Sequence, residues 1–383
     1  MPVSPVCSEL AEKYLQLHLC EGVGPIRAAN LLSELGDIDA VLAATRGDLL
    51  RVNKIGEKVA SQITRDRSAD RVAEEIEIAG KHDVRILCIA DPDYPVALKN
   101  IPDPPLCLYV RGSLQKEDAL ALGIVGSRHC SRYGAEQAER LAALATNAGL
   151  VIVSGMARGI DTCAHHGALL AGGRTLAVLG CGLCHLYPPD AIELAERIIK
   201  SGAILSELPM RIAPDPQNFP PRNRIIAGLS LGVLVVEAAR RSGALITARL
   251  ATEYNREVFA LPGRVDGPYA EGCNDLIKSG GAKLVTNLSD ILDELGDVGR
   301  SLAPLAVTST PTEDKLSPPT QLPLDEYERS ILAALGPEPL PVDAVCELSM
   351  LPPSKVAAVL TSLQLKGVVR RVGANLYELV CRA

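Results

Sequence analysis

Apolar positions recur every three to four residues from residue 8 to about 80, in SELAEKYLQLHLC, PIRAANLLSELG, IDAVLAAT and SADRVAEEIEIAGKHD. That is the spacing of amphipathic helices. Between them lie two similar turns, EGVGPIRAANLL with Gly22, Gly24 and Pro25, and NKIGEKVASQI around Gly56. Glycine before a helix with proline at its first position marks a helix start, and the pair predicts tandem helix-hairpin-helix turns. Such turns can bring backbone N–H groups and a helix N-terminus close to a phosphate, or serve only for packing.

From residue 84 the pattern changes to short apolar runs, VRILCIA, LCLYVRG, ALALGIVG, LVIVSG, RTLAVLG, AILSE, LGVLVVEA and EVFALPG, separated by helical segments. Strands buried on both faces read this way. The expected fold class is α/β: an extended Rossmann-like, doubly wound, mostly parallel sheet over 83–296, preceded by an all-α helix-hairpin-helix (SAM-like) domain over 1–82. Residues 297–323 are rich in Pro, Ser and Thr without periodicity and read as a linker. Over 324–383, three helical stretches and the hairpin VVRRVGANLYEL predict a winged-helix domain. Its recognition helix carries only Lys355 and Lys366, little charge for reading DNA.

Composition narrows the chemistry. At 383 residues with 47% hydrophobic and 22% charged residues, the chain can bury a large core. The N-terminus has no secretory pattern and no apolar run reaches bilayer length, so the expected location is cytoplasmic, with no membrane contact. Eleven scattered cysteines make a poor disulfide framework. A formal net charge of −7 gives no global attraction to nucleic acid, so any contact must come from a local cationic patch. With no Trp and two Phe, base stacking has few candidate positions.

Ligands of open α/β sheets bind outside the carboxyl ends of the strands. The loops expected there are GSRHCSRYG, SGMARGIDTCAHHG, GCGLCHLYP, FPPRNRIIAGLS and SGALITA. None is a P-loop, and no G-x-G-x-x-G follows the first strand, so nucleotide hydrolysis and dinucleotide redox chemistry are unsupported. The loops share glycine beside Ser and Arg, a combination suited to phosphate oxygens. In the same loops Asp161 reads as a helix cap or an arginine partner, Glu237 as holding a loop N–H or an arginine, and the adjacent His165 and His166 as too divergent for one metal.

The ordered set G-S-R-x-x-S-x-Y-G, S-G-M-A-R-G-I-D-x-x-A-H, G-C-G-L-x-x-x-Y-P, F-P-x-R-N-R-I-I-A-G-L-S and V-V-E-A-x-x-x-S-G-A-L-I-T-A, followed by G-x-N-x-L-I-x-x-G, resembles the DprA/Smf family over about residues 85–286. The resemblance implies a cytoplasmic, non-enzymatic protein that binds and shields single-stranded DNA in natural transformation and helps load the RecA recombinase. It also implies a homodimer and requires no cofactor. Carried onto this chain, the DNA-binding candidates are Gly126, Ser127, Arg128, Ser131, Ser154, Gly155, Gly159, Arg222, Asn223 and Arg224; Arg132 and Arg158 join them on charge and position. Tyr133, Tyr187 and Phe219 offer either stacking faces or core packing.

Two competing readings follow from single motifs. A nucleotide phosphoribohydrolase of the LOG, or lysine-decarboxylase-like, family needs P-G-G-x-G-T-x-x-E, but here Thr247 is followed three residues later by Leu250, and the first acid is Glu253. Cys181, Cys184 and His185 match the C-x-x-C-H of haem attachment, and the two thiols, with Cys163, could be read as zinc ligands. A structural zinc site needs a second ligand pair, and none is evident. In the DprA family the stretch usually reads G-C-G-L-D-x-x-Y-P-x-x-N, so Cys184 and Ala191 replace an acid and an amide, and the haem-like spacing follows from that departure.

Overall fold

The structure, a computed structural model, describes residues 6–308, 325–335, 339–365, 368–371 and 376–379. It forms two compact units, Met1–Thr310 and Pro311–Ala383.

The first unit begins with six helices, α1 (Glu9–His18), α2 (Pro25–Leu35), α3 (Ile38–Ala43), α4 (Arg46–Arg51), α5 (Glu57–Asp66) and α6 (Ala69–Lys81). Gly24 and Gly56 cap α2 and α5 as the turn pattern predicted. The two turns fold onto each other: Arg27 Nε donates to Lys54 O at 3.1 Å and Asn30 Nδ2 to Asn53 O at 3.0 Å. Leu17 of α1 sits in the helical core with Leu31, Leu49 and Ile63, while Leu15 packs with Ile86 and Tyr109 of the sheet. One helix thus joins both cores, and residues 1–82 are part of the larger unit.

Nine strands follow: β1 (Val84–Cys88), β2 (Cys107–Gly112), β3 (Ala121–Val125), β4 (Val151–Ser154), β5 (Thr175–Val178), β6 (Ala203–Ser206), β7 (Gly232–Val235), β8 (Glu257–Ala260) and β9 (Lys283–Leu284). Their spatial order is β1-β2-β6-β5-β4-β3-β7-β8-β9. The run from β6 to β9 is parallel, and β2 and β1 add antiparallel strands at one edge. The helices are α7 (Val96–Lys99), α8 (Arg132–Asn147), α9 (Ile160–Leu170), α10 (Ile192–Ser201), α11 (Phe219–Leu229), α12 (Gly243–Glu253), α13 (Glu271–Lys278), α14 (Leu288–Glu294) and α15 (Gly296–Thr308). Alternation sorts the strand residues: Val151 and Val153 pack with Ile225 and Ala248 of α11 and α12, and Ile152 with Leu141 and Ala164 of α8 and α9. The chain winds outward from β3 to β6, then returns to β7 on the other side of β3. Between β3 and β7 the strand order reverses, and there a crevice opens.

One boundary differs from expectation. Residues 297–308, expected as linker, form most of α15, with Leu302 buried against Leu288, Ile291 and Leu292. Val298 and Leu302 are one helical turn apart and supply the apolar contact, and Pro304 within the helix masks that pattern in the sequence. Residues 309–323 of the expected linker lie outside the described residues.

The second unit contains α16 (Glu326–Ala334), α17 (Val342–Ser349) and α18 (Pro353–Leu365). Their core includes Ile331, Val345, Val356, Leu360 and Leu363. The wing has three strands, β10 (Leu340–Pro341), β12 (Leu376–Leu379) and β11 (Val369–Arg371), in that spatial order, one more than expected. Lys355 Nζ sits 4.0 Å from the Tyr327 ring centre, and Lys366 lies outside the described residues.

Candidate nucleic-acid interface

The loops leaving β3, β4 and β7 meet α11 around the switch point. They line a cavity of about 530 Å³ that includes Ser127, Arg128, His129, Asp161, Phe219, Arg222, Arg241 and Ser242. A second hollow of about 180 Å³ shares Arg128, His129, Phe219 and Arg222 and adds Arg158 and Tyr187. Together they form a groove along the carboxyl edge of the parallel strands.

Glu237, just past β7, fixes the first wall. Its carboxylate accepts from Ser131 N at 2.8 Å and Ser131 Oγ at 2.6 Å, and its carbonyl accepts from Ser127 N at 2.7 Å. Ser131 in turn caps α8 by accepting from Gly134 N. The predicted role of Glu237 as holder of a loop N–H is met, and the Ser131 hydroxyl is committed to holding the loop. Arg128, released from that framework, places its guanidinium 5.3 Å from the Phe219 ring centre. Arg132 lies at the start of α8 with Nε on Glu136 at 2.7 Å and does not line the groove.

The β4–α9 loop is built from close approaches. Ser154 is fully buried and donates to Ile124 O at 2.6 Å, so its hydroxyl belongs to the sheet, a correction to its expected place in the DNA groove. Asp161 is not the cap of α9, which is Gly159; from inside the first turn it accepts from Gly155 N at 3.1 Å and Ala157 N at 3.4 Å and so holds the preceding loop. Gly155 O accepts from Arg222 Nη1 at 2.8 Å, and a Cβ on Gly155 would lie 2.1 Å from that nitrogen. Gly159 has φ +80°, and a Cβ there would lie 2.3 Å from Ser127 O. Gly126 likewise makes room for Ile160. These glycines set the loops closely together, and Gly126 also lines the larger hollow and Gly155 the smaller. Arg158 is exposed and bidentate on Asp190, at 3.0 and 3.3 Å.

Helix α11 divides its motif between two faces. Arg222 is buried, donates to Gly155 O and Val178 O, and leaves Nε without a partner while lining both hollows. Burial lowers Arg222 from the ordinary guanidinium range, and Asp161 opposes that shift. Burial likewise raises Asp161, against the pull of Arg222. Arg224 does not reach the groove, contrary to expectation. Two residues along a helix is about 200°, and its guanidinium ion-pairs with Asp103 at 3.2 Å and Glu207 at 2.5 Å. Asn223 donates to Gly243 O at 3.3 Å, tying α11 to the start of α12.

Sequence reasoning did not single out His129 or Arg241. Arg241 precedes the helix cap Ser242 directly after β7, so its position on the switch-point loop was the available signal. Among the described residues neither Arg128 nor Arg241 has a carboxylate within ion-pair distance, and Asp161 is the only carboxylate lining either hollow. Tyr187 and Phe219 stack with ring centres 5.7 Å apart, and Tyr187 and Tyr133 are exposed. Their faces are available for stacking rather than consumed by the core.

The departures in GCGLCHLYP are absorbed by backbone: Gly182 N donates to Ile212 O at 2.8 Å and Cys184 N to Met210 O at 3.1 Å. Cys181 is buried with Sγ on His185 O at 3.0 Å, and no group of three metal-ligating side chains occurs among the described residues. Glu253, the nearest acid to the ribohydrolase position, pairs with Arg249 at 3.4 Å and lines neither hollow.

The family model described as DNA recombination-mediator protein A matches residues 85–296, and the DprA winged helix domain model matches 315–375. Protein Smf of Synechocystis sp. is 35% identical over 383 residues, covering 94% of this chain and 96% of its own. The X-ray structure of DNA processing protein A from Streptococcus pneumoniae superposes with a TM-score of 0.66 at 35% identity, over 74% of this chain and 97% of that one. DNA processing protein A from Helicobacter pylori, a structure concerned with its single-stranded DNA binding mode, gives 0.50 at 31% identity, over 55% and 95%. With its mostly parallel sheet, its winged helix and matches along nearly its whole length, the chain belongs to the DNA recombination-mediator protein A family, DprA/Smf.

Proposed function

We propose that the groove at the β3/β7 switch point binds single-stranded DNA, and that the protein is a non-catalytic DNA-processing protein. The observation that carries this reading is the pairing of Arg128 and Arg241, without carboxylate partners among the described residues, with the faces of Phe219 and Tyr187 in one crevice. Arg128 and Arg241 neutralise phosphates, Arg222 braces the wall behind them, and the aromatic faces accept bases at about 1–3 kcal/mol each. Arg158 approaches the same strand once it leaves Asp190. Ser127 and Asn223 line the larger hollow and face the strand there, while Ser131, Ser154 and Arg224 act by holding the walls, as do the close-packed glycines Gly126, Gly155 and Gly159. Asp161, the only carboxylate among the described residues that line either hollow, is held by backbone donors, which supports a structural role for it.

The family likeness extends the proposal to shielding of incoming strands and RecA loading during natural transformation by a cytoplasmic homodimer. The direct test is a gel-shift series with single- and double-stranded oligonucleotides. The wild type should prefer the single strand. Arg128→Ala should weaken that binding about tenfold, the removal of one charge-assisted hydrogen bond of about 1.5 kcal/mol. Release of ribose phosphate from AMP without oligonucleotide binding would replace this reading by the ribohydrolase one.

A further inference from the structure

Two thiols stand beside the groove with no part in the binding just described. Cys130 lies in the β3–α8 loop two residues after Arg128, and Cys163 lies in α9 two residues after Asp161. Both are partly buried against the same apolar cluster beneath α8 and α9, both are free thiols, and each is the foremost influence on the other's ionisation. The backbone between them is already in contact: Ile160 N donates to Ser127 O at 3.2 Å, and Gly159 leaves no room for a Cβ against Ser127 and Arg128. Neither cysteine falls on a fixed position of the loop motifs, so the pair belongs to this chain rather than to the groove's framework.

We propose that Cys130 and Cys163 form an oxidation site, which a hydroperoxide converts to an intramolecular disulfide that draws the Arg128 loop toward α9 and weakens DNA binding. The Cys130 thiolate attacks one peroxide oxygen, the O–O bond breaks, and Cys130 becomes a sulfenic acid while the other oxygen leaves as hydroxide, which takes the proton that Cys130 released on ionising and becomes water. The Cys163 sulfur then attacks Cys130, the S–O bond breaks, and the departing hydroxide takes the Cys163 proton. Two thiols lose two electrons, and hydrogen peroxide is reduced to two waters. Cys130 reacts first because it sits on the β3–α8 loop whereas Cys163 is held within α9. The same order suits their ionisation: the neighbouring Cys163 lowers Cys130 from the ordinary thiol range, against burial and Glu237, while Cys130 and burial push Cys163 up. Among the described cysteines Cys130 alone is pushed down; Cys7, Cys20, Cys88, Cys181 and Cys273 are all raised by burial. A disulfide draws the two free sulfurs to about 2.05 Å. That shift moves the loop carrying Arg128 off its position over Phe219.

The test treats the full-length protein with hydrogen peroxide, blocks remaining thiols with N-ethylmaleimide, and maps linked peptides by mass spectrometry alongside oligonucleotide gel shifts. The expected result is a Cys130–Cys163 link and a several-fold loss of affinity that dithiothreitol reverses. Cys163→Ser should bind like the reduced wild type, form no link, and leave a sulfenic acid at Cys130 that dimedone traps. No linked peptide, a link between other cysteines such as Cys88 and Cys107, or equal affinity before and after oxidation would overturn the proposal. Its consequence for binding rests on the groove reading. Failure of that reading shows in the reduced protein, which would not shift the oligonucleotide, whereas failure of the dithiol site shows in the peptide map.

Discussion

The two faces of α11 carry arginines two residues apart and put them to opposite uses. On one face Arg222 borders the groove, braced by Gly155 O and Val178 O, and among the described residues no carboxylate lies within ion-pair distance of it. On the other, Arg224 is enclosed by Asp103 and Glu207, and Tyr254 donates to the same Asp103 at 2.6 Å. The contrast teaches that a motif rich in arginine is not a count of phosphate contacts. An arginine surrounded by carboxylates has its charge satisfied and holds the fold, whereas one bordered by carbonyls and an aromatic face keeps attraction for an anion.

Removing Arg224 should break this comparison most forcefully. Arg224→Ala leaves the half-buried carboxylates of Asp103 and Glu207 without their cation and is expected to cost about 3–5 kcal/mol, read as a lower urea midpoint. The folded fraction should still bind single-stranded DNA like the wild type. Loss of binding with unchanged stability would place Arg224 in the groove after all.

Acid should be nearly as costly, through two buried histidines away from the groove. Burial pushes His18 down to about 4 and His165 down to about 3. Thr175 Oγ1 donates to Ile152 O at 2.9 Å, so His165 Nδ1 is the donor to Thr175 at 2.7 Å and the neutral ring is the one that fits. Both folded values lie below the unfolded value of 6.5, so the unfolded chain takes up protons that the native protein refuses. Their contribution is whole above pH 6.5 and falls as the pH drops toward 4, by about 4 kcal/mol in total between pH 7 and 5. Asp161 and Glu207, raised by burial, gain protons in the native state and offset part of that loss lower down. Denaturant midpoints at pH 7 and pH 5 should show the fall, and His18→Gln and His165→Gln should each remove about half of it.

The smallest effect belongs to Arg158, whose pair with Asp190 is exposed and screened by solvent and so adds little to stability. Asp190→Asn frees this arginine at the rim of the smaller hollow and should raise oligonucleotide affinity about twofold at low salt. No change in affinity would remove Arg158 from the groove's edge.

Much of this was legible in the sequence because it is written in periodicity. The apolar runs of β1 to β8, the caps Gly24 and Gly56, and the order of the loops along one sheet edge all follow from local pattern. The two-residue β9 is too short to leave a pattern, and Pro304 hides α15 although Val298 and Leu302 keep helical spacing. At the site, residue type was readable but direction was not. Ser154 and Arg224 resemble ligand-binding groups until their partners, Ile124 O and the Asp103–Glu207 pair, come into view from distant parts of the chain. The helical spacing of Arg222 and Arg224 already placed them on opposite faces, but it could not say which face held the carboxylates.

The most direct test of the groove is the salt dependence of single-stranded oligonucleotide affinity for the wild type and for Arg128→Ala combined with Arg241→Ala. If these two arginines meet phosphates, the slope of log affinity against log salt should flatten by about 1.4, or about 0.7 for each phosphate no longer neutralised. The urea midpoint should not move, because neither side chain holds the fold. An unchanged slope in a folded double variant would contradict the assignment of the β3/β7 crevice as the DNA-binding surface.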